Sequence, residues 1–375
     1  MKKFMAMVLS GVLAVTCLAG CGKADTGYTS GNTEFIIGGT GPLTGDASSY
    51  GISVQRGAEL AFKQINEAGG LNGVKFKFIF KDDKATAADA ATGYDTLFES
   101  GMQASIGAVT SGSCDSFASK AAEDNMFLLT PSASAANVIE NRDNAFRVCF
   151  GDPDQGTLAA EELTKSYKNI GAIYDTSDAY SSGIFQAFEA EMKKLGVDFK
   201  TQSFDAENKK DFTTQVEALK DCDVIFLPIY YTEAGLIAKA ATAKGSSALL
   251  FGCDGLDGIA DQIDASVKND IKYITPFDVN STDEKTKSFV EAYKAEYSED
   301  PDQFAADGYD AVMAIFEAMK KADVKDVTIG ASELCDILKS TFTSDDFEYS
   351  GATGKMTWDE SGACAKVPQI VSLSK

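Results

Sequence analysis

Two short clusters of small hydroxylated residues carry the first chemical signal. Gly107-Ala108-Val109-Thr110-Ser111-Gly112-Ser113-Cys114 and Thr130-Pro131-Ser132-Ala133-Ser134-Ala135 each follow a β-rich run and precede a helical stretch. Hydroxyls and backbone N–H groups converging at a helix N-terminus make an anion site. Singly, such a cluster is commonly no more than a helix cap. Two of them on successive strand–helix connections favour one shared site for a carboxylate or phosphate. The second half of the chain supplies the complement. Tyr180, Tyr230-Tyr231 and Asp254 each stand just beyond the end of an apolar run. Asp254 alone also reads as a turn residue, and Tyr230 as a wall of the core. Together, an acid and aromatics suit a cationic, partly apolar group. An anion site facing them describes a clamp for a zwitterion.

Other chemistries are excluded by residue type. The 375 residues contain no histidine, which removes Ser-His-Asp and Cys-His nucleophiles and every histidine metal site. There is no Gly-x-Ser-x-Gly elbow. The run Ile37-Gly38-Gly39-Thr40-Gly41-Pro42-Leu43-Thr44-Gly45 has glycines after a strand, but Thr44 stands where a dinucleotide loop needs its third glycine. It reads as a loop needing open backbone angles at a sheet edge, continuing to Ser53. A formal charge of −22 with only Arg56, Arg142 and Arg147 as arginines argues against nucleic acid. No catalytic residue, cofactor or metal site is predicted.

The amino terminus reads as an export signal. Lys2 and Lys3 precede a mostly apolar run over 4–15, then Leu18-Ala19-Gly20-Cys21. That ending resembles the lipobox of bacterial lipoproteins, which implies cleavage after residue 20 and a lipid anchor on Cys21. Two acyl chains at about 0.8 kcal/mol per buried CH₂ hold durably where one does not. Cleavage leaves 32 basic against 56 acidic residues, a net charge of −24. Residues 22–33 are polar and glycine-bearing, a flexible tether. The remaining cysteines, Cys114, Cys149, Cys222, Cys253, Cys335 and Cys364, form no C-x-x-C pair and are expected free and buried.

At roughly 150 residues per domain, the length suggests two domains. Period-2 and apolar runs predict strands at 35–37, 74–80, 105–109 and 127–129, interleaved with helices at 54–66, 85–99 and 116–123. The series pauses over 147–155. It restarts with strands at 170–174, 199–204, 224–227, 249–252 and 272–277, and helices at 181–195, 212–220 and 232–244. Helices follow at 283–297, 304–322 and 331–340, then β structure over 354–373. Repeated strand–helix–strand units imply α/β architecture: two doubly wound lobes, each built on a parallel sheet covered on both faces.

Landmarks along the chain carry a resemblance. They include Gly41-Pro42-Leu43-Thr44-Gly45 with Tyr50-Gly51, Gly57-Ala58-Glu59-Leu60-Ala61 and Ile65-Asn66-Glu67-Ala68-Gly69-Gly70. Asp82-Asp83, Thr130-Pro131-Ser132-Ala133, Asp154-Gln155-Gly156, Gly308-Tyr309-Asp310-Ala311 and Thr357-Trp358-Asp359 follow in order. From about residue 34 to near the C-terminus the chain resembles the leucine/isoleucine/valine-binding proteins. These are the branched-chain amino-acid class of extracellular solute receptors. The resemblance implies a type I periplasmic-binding-protein fold, two lobes joined by a three-segment hinge near 148–155, 277–281 and 352–358. It places 34–150 with 278–355 in lobe 1, and 151–277 with 356–375 in lobe 2.

By the same resemblance, Ser111 and Ser134 hold a ligand carboxylate with backbone N–H groups around them. Asp254 takes the α-ammonium with a backbone carbonyl near Ser132, and Ala133 lies on the same segment. Tyr50, Tyr180, Tyr230 and Phe304 wall the side-chain pocket or cover the zwitterion. Two departures stand out. The best-known members carry Glu where Asp254 stands, and their first-lobe disulfide is absent, with Ala85 and Thr110 at its positions. The implied function is a monomeric, lipid-tethered receptor that captures an apolar α-amino acid and presents it to the permease of an ABC importer. A sensory receptor of the same fold, or an amide, carboxylate or aromatic ligand, remains an alternative.

Overall fold

The computed structural model describes residues 31–373. The expected signal peptide at 1–20 and the Cys21 anchor lie outside the described residues, as does the tether up to residue 30. The first sheet is built by β1 (Phe35–Gly41), α1 (Ser48–Glu67), β2 (Phe76–Asp82), α2 (Ala87–Glu99), β3 (Ala104–Ser105), α3 (Ser111–Glu123), β4 (Leu128–Thr130) and β5 (Ala145–Arg147). Its strands are all parallel, in the order β2-β1-β3-β4-β5. Every residue of β1 is buried, as a strand covered by helices on both faces requires.

The second sheet follows with α4 (Asp152–Ser166), β6 (Ile170–Asp175), α5 (Ala179–Leu195), β7 (Lys200–Phe204), α6 (Thr213–Leu219), β8 (Val224–Leu227), α7 (Tyr231–Ala243), β9 (Leu249–Gly252) and β10 (Ile271–Thr275). The chain then adds α8 (Glu284–Tyr297), α9 (Gln303–Lys321), α10 (Ala331–Phe342), β11 (Tyr349–Gly351), β12 (Gly354–Trp358), β13 (Cys364–Ala365) and β14 (Gln369–Ser372). The second sheet runs β14-β10-β9-β8-β6-β7 and is parallel except for β14, which pairs antiparallel with β10. Both sheets therefore reverse their winding beside their own first strand, between β1 and β3 and between β6 and β8. Ligands in open α/β sheets bind at such switch points, beyond the C-terminal strand ends.

The helices differ from expectation where polar residues start them. α1 begins at Ser48, so Tyr50 stands in its first turn where a loop was expected. α4 fills the expected pause, with Pro153 near its start, where the missing N–H costs no hydrogen bond. α1 and α9 lie in very close contact: a Cβ on Gly57 would meet Ala305 O at 1.9 Å, and one on Gly308 would meet Val54 O at 2.5 Å.

The chain passes between the sheets at 148–151 and 276–283, near two of the expected crossings. The third differs. Trp358 Nε1 donates to Arg147 O at 2.8 Å and Arg147 N to Gly362 O at 3.1 Å, so β12 and β13 stay with the first sheet. Only β14 joins the second, which moves the crossing from 352–358 to 366–368 and the residues 356–365 out of lobe 2. Lys366 in that crossing is buried against Asp307 of α9 at 2.8 Å. All six cysteines within 31–373 are free and buried.

Candidate ligand site

At one end of the site stands the N-terminus of α3. Thr110 is its N-cap residue and Ser111 its first residue. First-turn N–H groups have no intrahelical acceptor and favour an anion. Ser111 Oγ accepts from Ala135 N at 3.2 Å, which leaves its own proton to give away. Ser132 Oγ donates to Val109 O at 2.8 Å, tying the two hydroxylated segments together.

At the other end stands Asp254, in a short turn that follows β9. Tyr180, in the first turn of α5, donates its hydroxyl to Asp254 Oδ1 at 2.7 Å and accepts from Gly255 N at 2.9 Å. Gln155 of α4 accepts from Asp254 N at 3.1 Å. Burial pushes the Asp254 carboxyl up to about 6, opposed by the hydrogen bond that Tyr180 donates to it. Burial also raises the phenols of Tyr50, Tyr180 and Tyr230, which keeps them neutral donors.

Aromatic rings close the remaining sides. Tyr180 and Tyr230 stack with centroids 5.0 Å apart and planes 9° apart. Tyr50 lies 4.4 Å from Phe304, the second residue of α9, so the close α1–α9 contact fixes this wall. Tyr50 also crosses to the second lobe, donating to Gly255 O at 2.5 Å and accepting from Tyr231 N at 3.0 Å.

Seven of the nine expected ligand residues meet on one cavity: Tyr50, Ser111, Ser132, Tyr180, Tyr230, Asp254 and Phe304. With the lobes in this position its free volume is about 10 Å³, room for about one water, so an amino acid enters only when the walls part. A wider charged vestibule shares Tyr230 and is lined by Asp46, Asp178, Lys209 and Glu233. The other two expected residues do not line the cavity. Ala133 is fully buried in a core cluster with Cys114, Phe117 and Leu128, because alternate side chains of this extended segment point to opposite sides. Ser134 is fully buried, and its carbonyl accepts from Arg147 Nη1.

Sequence reasoning had Thr110 only as a member of its hydroxylated cluster, and gave no role to Val109 and Gly255 on the cavity or to Gln155 behind it. Gly255 had a readable signal as the partner of an Asp-Gly turn. A Cβ there would meet Tyr180 Oη at 2.7 Å and displace the phenol from Asp254.

Residues 34–361 match the family model described as periplasmic binding protein. The chain belongs to that family, which binds solutes and acts outside the cytoplasm. The leucine-, isoleucine-, valine-, threonine-, and alanine-binding protein of Pseudomonas aeruginosa is 26% identical over 361 residues, 94% of this chain and 92% of its own. The substrate binding protein LivJ of a branched-chain amino acid transporter from Streptococcus pneumoniae, solved with isoleucine, has a TM-score of 0.77 at 28% identity. It covers 90% of this chain and 99% of its own. A solute binding protein of an ABC transporter from R. palustris, solved with benzoate, has a TM-score of 0.80 at 18% identity, over 91% and 96%. That last likeness is one of fold alone. No helix among the described residues is long and apolar enough to cross a membrane.

Proposed function

We propose that this protein is the substrate-binding component of an ABC importer. It captures an α-amino acid with an apolar side chain between its lobes and presents it to the permease. Export by the signal at 1–20 and a lipid on Cys21 would hold it at the outer face of the cell membrane. The observation that carries this reading is a single small cavity with a helix N-terminus and Ser111 at one end and the Asp254 carboxylate at the other. Such a pair of ends is complementary to a carboxylate and an ammonium a few ångströms apart. Rings of Tyr50, Tyr230 and Phe304 leave an apolar wall for the side chain. The relatives that bind branched-chain amino acids support the same class.

A ligand with only a carboxylate, such as the benzoate of the R. palustris protein, would leave Asp254 buried against it without a counter-charge. The test is calorimetric titration of the unlipidated protein with the proteinogenic amino acids, after unfolding and refolding to strip carried ligand. Saturable one-to-one binding of apolar α-amino acids is the expected result. Binding confined to amides or to acids without an ammonium would overturn it.

A further inference from the structure

The loop over 42–47, between β1 and α1, carries part of the glycine-rich run of the sequence, and none of its residues lines the ligand cavity. Its base is fixed to the first sheet. Leu43 N and Thr44 Oγ1 donate to the two carboxylate oxygens of Asp82, the last residue of β2, at 2.8 and 2.6 Å. Burial works against the Asp82 carboxylate, and these bonds outweigh it, holding the carboxyl below its ordinary value. Gly45 then turns with φ at +88°, a conformation that suits glycine. Ser48 N donates to Gly45 O at 3.2 Å as the chain enters α1. Thr44, Gly45 and Asp46 at the tip are exposed.

That tip reaches the second lobe. Asp46 O accepts from Thr232 Oγ1, in the first turn of α7, at 2.7 Å. Asp46 Oδ2 lies 3.5 Å from Lys209 Nζ, on the loop between β7 and α6. Beside them, Ser49 N donates to Tyr231 Oη at 3.3 Å. Lys209 is held by its own lobe: Glu233 Oε1 lies 3.3 Å from the same nitrogen, with 8% of the Glu233 side chain exposed. Burial disfavours the Lys209 ammonium, and Glu233 and Asp46 more than offset it, so its pKa stands above the ordinary value. The Lys209–Glu233 pair lies within one lobe and survives opening. The bonds to Asp46 run from lobe to lobe and part when the lobes part. All three charged groups line the vestibule, which adjoins the ligand cavity at Tyr230.

We propose that the loop 42–47 is a strap that latches the lobes together across the vestibule, its tip Asp46 engaging Thr232 and Lys209 on closure, and that it sets how long a captured solute stays. The proposal rests on the amino-acid reading above for its ligand. Bonds formed only after closure slow escape and leave the encounter unchanged. The two bonds of the tip differ in kind. The Asp46 side chain is 67% exposed, so its pairing with Lys209 is weak and screened by salt. The bond from Thr232 to the Asp46 carbonyl joins neutral groups, and salt leaves it in place.

The experiment is stopped-flow kinetics with L-leucine, L-isoleucine, L-valine and L-alanine. Wild type, Asp46→Asn, Lys209→Met, Thr232→Val and the pairs of Asp46→Asn with each of the other two are compared. Asp46→Asn and Lys209→Met should each speed dissociation about threefold, and together little more, since both delete the same ion pair. Thr232→Val should speed it about fivefold and multiply with Asp46→Asn, which keeps the carbonyl that Thr232 grips. Association rates should stay within about twofold of wild type. Between about 0.01 and about 1 M salt, where the screening length falls from about 30 to about 3 Å, wild-type dissociation should quicken more than that of Asp46→Asn. Lys209→Met strips Glu233 of its partner; if it does not fold, Asp46→Asn and Thr232→Val carry the test. Unchanged dissociation in those two, or multiplying effects of Asp46→Asn and Lys209→Met, would overturn the strap while leaving the amino-acid reading intact. Failure of wild type to bind any of the four would remove that reading and the strap's part in retention with it.

Discussion

The Tyr180 hydroxyl donates to Asp254 Oδ1 at 2.7 Å while accepting from Gly255 N at 2.9 Å. One phenol from the start of α5 thus fixes the carboxylate that follows β9, and it can do so only because residue 255 has no side chain. Tyr180→Phe removes the donor and leaves a buried carboxylate with one partner fewer. A hydrogen bond to a charged group contributes about 1.5–3 kcal/mol. Urea unfolding of the empty protein at pH 8 should show a loss of that order. The pH at which Asp254 ionises should also rise above about 6, visible as an upward shift in the pH profile of amino-acid affinity. An unchanged profile would contradict the geometry.

Stability and affinity should respond to pH with opposite signs. Burial raises Asp83 and Asp254 to about 6, and Asp302 and Asp307 to about 7. These carboxyls hold protons more tightly folded than unfolded, so stability is greatest below the unfolded value and falls as pH rises from about 4 to 7. The exposed carboxylates with lowered values, such as Asp223 and Asp346, lose their contribution only below pH 4. The urea midpoint of the empty protein should therefore be higher at pH 5.5 than at pH 8. Leucine affinity should move the other way, rising with pH through about 6 as Asp254 ionises. Parallel changes in the two would contradict the assignment.

Tyr50 joins the lobes through Gly255 O and Tyr231 N. Tyr50→Phe keeps the ring and deletes both bonds, at about 0.5–1.5 kcal/mol each. Stopped-flow kinetics with leucine should show faster dissociation and a nearly unchanged association rate, because these bonds exist only once the lobes close. A slower association with unaltered dissociation would place Tyr50 elsewhere in the mechanism.

Gly57 lets α1 lie on α9. A Cβ at 1.9 Å from Ala305 O forces the helices apart, and overpacking costs about 1–3 kcal/mol or more. Gly57→Ala should lower the urea midpoint and loosen the Tyr50–Phe304 wall, weakening leucine binding. Wild-type stability would show that the helices separate freely.

Much of this was legible in the sequence because strands covered on both faces must be continuously apolar, as 224–227 are, and because site residues follow such runs directly. Tyr180, Tyr230 and Asp254 were readable for that reason. α4 was not: Asp152-Pro153-Asp154-Gln155 has the composition of a turn, and only its place at a helix start makes it one. The expectation that 356–365 belong to lobe 2 failed because Trp358 is held by Arg147, a partner 211 positions away. A lining residue such as Val109 leaves little trace in residue type. The pairing of Lys366 with Asp307 leaves none.

The account turns on Asp254 as the partner of an ammonium. The direct measurement is calorimetry of wild type and Asp254→Asn with leucine and with 4-methylpentanoate, which is leucine without its ammonium. Wild type should bind leucine far more tightly than the acid. Asp254→Asn should lose that preference, mostly through weakened leucine binding, since a partner removed from a buried charge pair typically costs about 3–5 kcal/mol. Leucine bound by Asp254→Asn as tightly as by wild type, or both compounds bound equally by wild type, would contradict it.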